Sequence, residues 1–116
     1  MQKVRDIIIY KKRFVNFFFE QDEKVQLKIE YVLDLVRFEK EVPRKFFKLL
    51  KNTNGIWEIR VVTTFKNIRI LCFIEDGNLV VLTNCFLKKS KKTPQKEIKL
   101  AESLKNEYLN ERRFLR

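Results

Sequence analysis

Asn67-Ile-Arg-Ile-Leu-Cys-Phe-Ile-Glu-Asp-Gly-Asn-Leu-Val-Val-Leu-Thr-Asn-Cys-Phe86 decides the fold, because two apolar, β-branched runs flank one turn signal. Asp76-Gly77 suits the positive φ angles of a two-residue type I′ turn, which makes the runs an antiparallel hairpin. With Glu75 opposite Asn78, the register places Arg69 opposite Asn84, Leu71 opposite Leu82 and Phe73 opposite Val80. Upstream, residues 56–64 are equally rich in Val, Ile and Trp, so segments 56–64, 67–75 and 78–86 form an antiparallel meander. A two- or four-residue loop around Phe65-Lys66 puts Arg60 and Arg69 on one sheet face, directly opposite or diagonal, with Glu58 beside them. That face carries Glu58, Arg60, Arg69 and Asn84 at one end and Leu71, Phe73, Val80 and Leu82 at the other. The second face, with Trp57, Ile59, Val61, Ile70, Cys72, Ile74, Val81 and Thr83, is apolar along most of its length and needs a helical cover.

The N-terminal half supplies that cover. Residues 4–10, Val-Arg-Asp-Ile-Ile-Ile-Tyr, read as a short strand. Phe14, Phe17 and Phe18 fall at helical spacing, and Val25, Ile29, Val32, Leu33 and Val36 continue it behind Asp22, a good N-cap. A helical hairpin or one bent helix follows, and Leu27, Tyr31, Leu35 and Phe38 widen its apolar face enough to predict burial on two sides. Pro43 is suited to start a short helical turn with Phe46, Phe47, Leu49 and Leu50 inward and Lys45, Lys48 and Lys51 outward. After the meander, Thr93 as N-cap and Pro94 as first helical residue open a last helix whose stripe is Ile98, Ala101, Leu104 and Tyr108. It is expected to pack on Leu71, Phe73 and Leu82 and to fray in the basic tail 111–116.

The expected architecture is therefore one α+β domain over residues 1–116, with a twisted antiparallel sheet: N-terminal strand and helices in 1–42, basic turn and meander in 43–87, basic loop and C-terminal helix in 88–116. At 116 residues with 45% apolar composition and eleven Phe, the chain is the size of a single core. No stretch has signal-peptide or membrane-spanning length, which predicts a soluble, cytoplasmic protein without a membrane partner. Cys72 and Cys85 sit inside apolar runs, and with no CxxC spacing and no His in the chain they read as reduced core thiols.

The formal net charge of +11, from 26 Lys and Arg against 15 Asp and Glu, calls for a polyanionic partner, nucleic acid first, or an acidic protein. The charge is densest in Phe86-Leu-Lys-Lys-Ser-Lys-Lys-Thr-Pro-Gln-Lys-Glu-Ile98. Lys88, Lys89, Lys91 and Lys92 emerge where the strand carrying Asn84 ends, so they ring the same end of the sheet as Arg60 and Arg69. Backbone phosphates suit such a cleft, and Lys45, Lys48 and Lys51 extend the surface. A solvated lysine loop and a surface ion-pair network are the plainer alternatives for these groups taken singly. The absent His excludes an imidazole acid–base pair, the scattered carboxylates give no support to a metal centre, and no cofactor motif is present. Phosphoryl chemistry carried by cations remains open, since the 2′-hydroxyl of RNA supplies its own nucleophile.

Gly55-Ile-Trp-Glu-Ile-Arg60, Asn67-Ile-Arg-Ile-Leu-Cys-Phe73 and the lysine stretch 86–98 followed by Ala101 together resemble the phage-derived HigB-type branch of the RelE toxin superfamily, over roughly residues 43–108 and in element order over nearly all of the chain. The resemblance implies a type II toxin, a ribosome-dependent messenger-RNA endonuclease acting in the A site against 16S rRNA, and restrained by a HigA-like helix-turn-helix antitoxin. By motif, the cations that stabilise the scissile phosphate map onto Arg60 and Arg69, with Lys88 and Lys89 as further catalytic positions. Lys45, Lys48, Lys51, Asn84, Lys91 and Lys92 complete the expected RNA surface. Asn84 stands where related members often have His, and Ile68 where an aromatic is common; Glu58, on the same face as Arg60 and Arg69, is the candidate to activate the 2′-hydroxyl, with a lysine protonating the leaving oxygen. Two other functions fit the same charge pattern: a non-catalytic module that holds RNA or an acidic protein, and a decayed toxin that only binds its antitoxin.

Overall fold

The computed structural model describes residues 2–115, so Met1 and Arg116, the last residue of the expected basic tail, lie outside it. The elements run β1 (Asp6–Ile9), α1 (Arg13–Phe19), α2 (Glu23–Phe38), β2 (Phe47–Leu49), β3 (Trp57–Val62), β4 (Asn67–Glu75), β5 (Leu79–Leu87) and α3 (Gln95–Leu115). The five strands form one mixed sheet in the order β1-β5-β4-β3-β2. The α+β class and the meander follow the sequence expectation. The direction of the first strand does not, because β1 pairs parallel to β5, Asp6 with Leu79 through Ile9 with Leu82. No local turn fixes the direction of β1: α1 and α2 carry the chain to β2 at the far edge of the sheet, and three antiparallel reversals later β5 arrives beside β1 running the same way.

The expected helical turn after Pro43 closes only once, with Phe46 and Phe47 N–H groups donating to the Pro43 carbonyl. The chain then extends into β2, which pairs antiparallel with β3, Lys48 opposite Glu58. Phe47 explains the switch. Its ring stacks on Trp57 at 4.6 Å and is buried, while Leu49, expected inside, stands 48% exposed. Alternation of faces thus replaced helical spacing.

Between α1 and α2 the chain breaks at residues 20–22 to make the helical hairpin, and the Asp22 carboxylate accepts from Val25 N–H at 3.0 Å. Val25, Ile29, Val32, Leu33 and Val36 are buried against Ile59, Val61, Ile68 and Ile70, each such side chain being worth about 1.5–3 kcal/mol. The predicted second cover of α2 is absent: Leu27 and Tyr31 are more than half exposed.

Asp76 (φ 53°) and Gly77 (φ 82°) take the positive angles that the turn signal predicts. The loop nevertheless spans three residues, since Glu75 pairs with Leu79 rather than Asn78. That one-residue slip moves Val80 and Leu82 to the face covered by α1 and α2, and Val81 and Thr83 to the other. A bulge then sets Thr83 and Asn84 together opposite Leu71, and pairing resumes at Ile70 with Cys85 and Arg69 with Phe86. The second slip restores the face of the strand but separates Arg69 from Asn84, its predicted partner.

On the face away from α1 and α2, α3 buries Ala101 against Ile56 and Leu71, with Leu50 and Phe86 at the margin. Tyr108 packs edge-on to Phe73 at 5.4 Å and to Tyr10 at 5.3 Å. Its far end is tied down by Tyr10 donating to Glu111 (2.7 Å) and by the Arg112–Glu75 ion pair, so α3 continues to Leu115 where fraying was expected. Both cysteines are free and lie on the α2-covered side, and burial pushes both thiols far above their usual range. No helix among the described residues is long and apolar enough to cross a membrane.

Candidate functional site

α3 leaves one end of its sheet face uncovered, and the loop from Lys88 to Thr93 folds beside it. The result is a cleft of about 250 Å³ lined by Lys48 and Lys51 from the β2 end, Glu58 and Arg60 from β3, Lys88, Lys91, Lys92 and Thr93 from the loop, and Gln95 and Ile98 from α3. Each position has a local cause. Lys48 is the middle residue of β2 and so shares a face with its partner Glu58. Arg60 lies directly opposite Arg69 across β3 and β4, the four-residue loop 63–66 having fixed that pairing. Lys88 is held at the strand end by its N–H donating to the Asn67 carbonyl at 2.7 Å.

Glu58 is the floor of the cleft and is 1% exposed. Its Oε1 accepts from Arg60 Nε at 3.1 Å and lies 3.4 Å from Arg69 Nε, while Oε2 accepts from the Thr93 hydroxyl. Two guanidinium groups placed side by side repel, and this carboxylate offsets the repulsion in a medium that water screens poorly. Thr93, predicted to cap α3, is used here instead; the helix begins at Gln95, one residue later than expected, with Glu97 and Ile98 N–H groups donating to the Pro94 carbonyl. The Thr93–Glu58 bond fastens the lysine loop to the sheet.

Arg69 lies beneath the cleft rather than in it. It is 4% exposed and donates to Asn67 Oδ1 and, at 3.2 Å, to the Ile68 carbonyl. Burial lowers its pKa from the ordinary arginine value, the Glu58 charge opposes that, and Arg60 adds to it; a guanidinium nevertheless stays charged in proteins. Lys88 is also lowered, by burial first and then by the Arg69 charge, with Glu58 opposing and Arg60 and Lys48 contributing. A lysine whose ammonium is disfavoured in this way releases its proton more readily.

Of the predicted site residues, the fold gathers Glu58, Arg60, Lys88, Lys48, Lys51, Lys91 and Lys92 around one cleft. Lys89 is exposed and does not line the cleft, and Lys45 lies over the Phe46 ring at 5.0 Å. Asn84 is 2% exposed: its Nδ2 donates to the Glu97 carbonyl (3.1 Å) and carboxylate (3.0 Å), and its Oδ1 accepts from Thr83. The bulge turns it into a tie between β5 and α3, out of reach of a ligand. Thr93 and Gln95 were missed as lining residues; Thr-Pro reads as a helix start, and nothing in the sequence marks its hydroxyl as a partner for a residue 35 positions away. Glu58 is the one acidic residue in the lining, and no group of three or more metal-ligating side chains occurs among the described residues.

The described residues form a small α+β domain with a mixed five-stranded sheet, three helices and a cationic cleft on the face shared with the last helix, which is compatible with the RelE-like fold. Residues 16–106 match the model of the family described as phage-derived protein Gp49-like (DUF891), well over half of the chain. The protein belongs to this family, a RelE/HigB-like toxin family. The matched segment contains every cleft residue named above. No curated protein matches the chain.

Proposed function

We propose that this protein is a HigB-type toxin of a type II toxin–antitoxin system that cleaves messenger RNA on the ribosome, in the cytoplasm, under the control of a helix-turn-helix antitoxin. The observation that carries the reading is the cleft: five lysines and Arg60 converge over a single buried carboxylate. Such a site binds the phosphate backbone and favours the extra negative charge that develops on phosphorus in the transition state. Family membership supports the toxin class.

In the proposed reaction the 2′-hydroxyl of the RNA loses its proton to solvent water and attacks the adjacent phosphorus, and the bond to the 5′-oxygen breaks to leave a 2′,3′-cyclic phosphate and a 5′-hydroxyl. Arg60, part exposed and braced by Glu58, meets the phosphoryl oxygens. Lys88, made more acidic by its surroundings, gives a proton to the leaving oxygen. Glu58 was the sequence choice for general base, yet a base must reach the hydroxyl, and this carboxylate is closed off from water with both oxygens engaged. Its position is that of a positioning residue, holding Arg60 and Thr93. Arg69 supplies charge from below.

Adding purified protein to a translation extract and mapping message ends by primer extension tests this. Cuts within translated codons are expected, and none when translation is blocked before elongation. Binding to ribosomes or RNA without cuts would overturn the endonuclease and favour a non-catalytic module.

A further inference from the structure

Phe65 is 95% exposed at the tip of the β3–β4 hairpin, the same hairpin that carries Arg60 and Arg69. The loop beneath it is well held: Thr63 N–H donates to the Lys66 carbonyl at 2.8 Å, Lys66 N–H to Thr63 Oγ1 at 3.0 Å, and the Lys66 ammonium to Gln21 Oε1 at 2.6 Å. A bare aromatic on a braced loop is a preorganised contact surface. Beside it runs a groove of about 590 Å³ between the hairpin and the first turns of α2, with Val62, Thr64 and Phe65 on one wall and Lys24, Val25 and Lys28 on the other. Val62 is itself 56% exposed, so the apolar wall is continuous up to the strand that holds Arg60. From Arg60, on the α3 face, to the loop is three residue steps, about 10 Å of strand, and an RNA strand reaches the groove by passing round the hairpin end to the α2 side.

We infer that this groove receives an unpaired base of the RNA strand leaving the cationic cleft, stacked on Phe65, with Lys24 and Lys28 toward the neighbouring phosphates. The inference rests on the RNA reading of the cleft. An aromatic face flanked by lysines suits single-stranded RNA, because every base offers a π-face and each nucleotide brings a negative charge. The carboxylate in the groove, Asp22, is already used as the cap of α2. The site therefore makes the protein a reader of single strands that extend beyond the scissile position, tolerant of sequence.

The test is binding of a short 2′-O-methyl RNA carrying 2-aminopurine, titrated with the full chain at low salt. Stacking quenches 2-aminopurine, and Phe65→Ala is expected to remove the quench and weaken binding about 5- to 150-fold, the range for loss of one stacked base. Phe65→Trp is expected to keep both. Because Phe65 touches almost nothing in the fold, circular dichroism of Phe65→Ala should match the parent. Unchanged affinity and quench in Phe65→Ala, while Lys48→Glu weakens binding, would overturn this inference and leave the cleft reading standing. No binding by the parent, or no effect of Lys48→Glu, would overturn the cleft reading and this inference with it.

Discussion

Glu58→Ala is expected to be among the most damaging single substitutions in the chain. It would leave Arg69 with a 5% exposed charged side chain opposite Arg60 and no counter-charge, and the Thr93 hydroxyl without its acceptor. Removing one partner of a buried ion pair costs about 3–5 kcal/mol. Arg60, with 28% of its side chain in contact with water, adds little to that figure, whereas the orphaned Thr93 bond adds about 1 kcal/mol. A domain of this size has roughly 6–17 kcal/mol to lose, and with a urea m-value of about 2 kcal/mol/M the midpoint should fall by about 2–3 M. Urea unfolding followed by circular dichroism measures this directly. Adding Arg69→Met to Glu58→Leu should recover much of the loss, since apolar replacement of a buried pair tends toward neutrality. A Glu58→Ala midpoint within about 0.5 M of the parent, corresponding to under about 1 kcal/mol, would refute the view that Glu58 organises the two arginines.

Other outcomes follow from the same geometry. RNA affinity should fall with salt at a log–log slope near −3.5 if the five cleft lysines each meet one phosphate of a single strand; that is a loss of about 10²-fold between 50 and 200 mM salt, and a slope shallower than about −1.5 would contradict the cleft. Because the folded-state pKa of Lys88 lies below its ordinary 10.5, the acid form disappears as pH rises through the lower value, so the alkaline limb of kcat/KM should lie below pH 10.5 and vanish in Lys88→Arg. The unfolded chain binds more protons in that window, so this group's contribution to stability rises with pH there. Asn84→Ala should lower stability by about 1–3 kcal/mol, through the unpaired Glu97 groups, while leaving RNA affinity within about twofold.

The strands were legible because their local signals are strong. Asp76-Gly77 marked the hairpin, and the placement of Arg60 and Arg69 on one sheet face held for either loop length, the fold choosing the directly opposite pairing over the diagonal one. What escaped detection was set by long-range packing. Phe47 prefers a ring stack on Trp57 to the helical turn that Pro43 invites, which converts the basic turn into an edge strand and brings Lys48 opposite Glu58. The bulge at Thr83 and Asn84 has no sequence mark, yet it decides that Asn84 serves α3 rather than a ligand. Charge spacing put Lys88, Lys91 and Lys92 at the same end of the sheet as Arg60, whereas Lys89 stays outside the cleft, and only the fold shows that Arg69 and Glu58 lie underneath and that Thr93 fastens the loop down.

In the proposed function the cleft over Glu58 cuts RNA by cationic stabilisation centred on Arg60. The most direct test is the single-turnover cleavage rate of message on programmed ribosomes, comparing the parent with Arg60→Ala and checking each fold by urea unfolding. Scission by the parent is expected, with a rate about 10²- to 10³-fold lower in Arg60→Ala, the usual loss for one group that stabilises transition-state charge. Cleavage by a folded Arg60→Ala protein at the parental rate, or no cleavage by the parent, would contradict it.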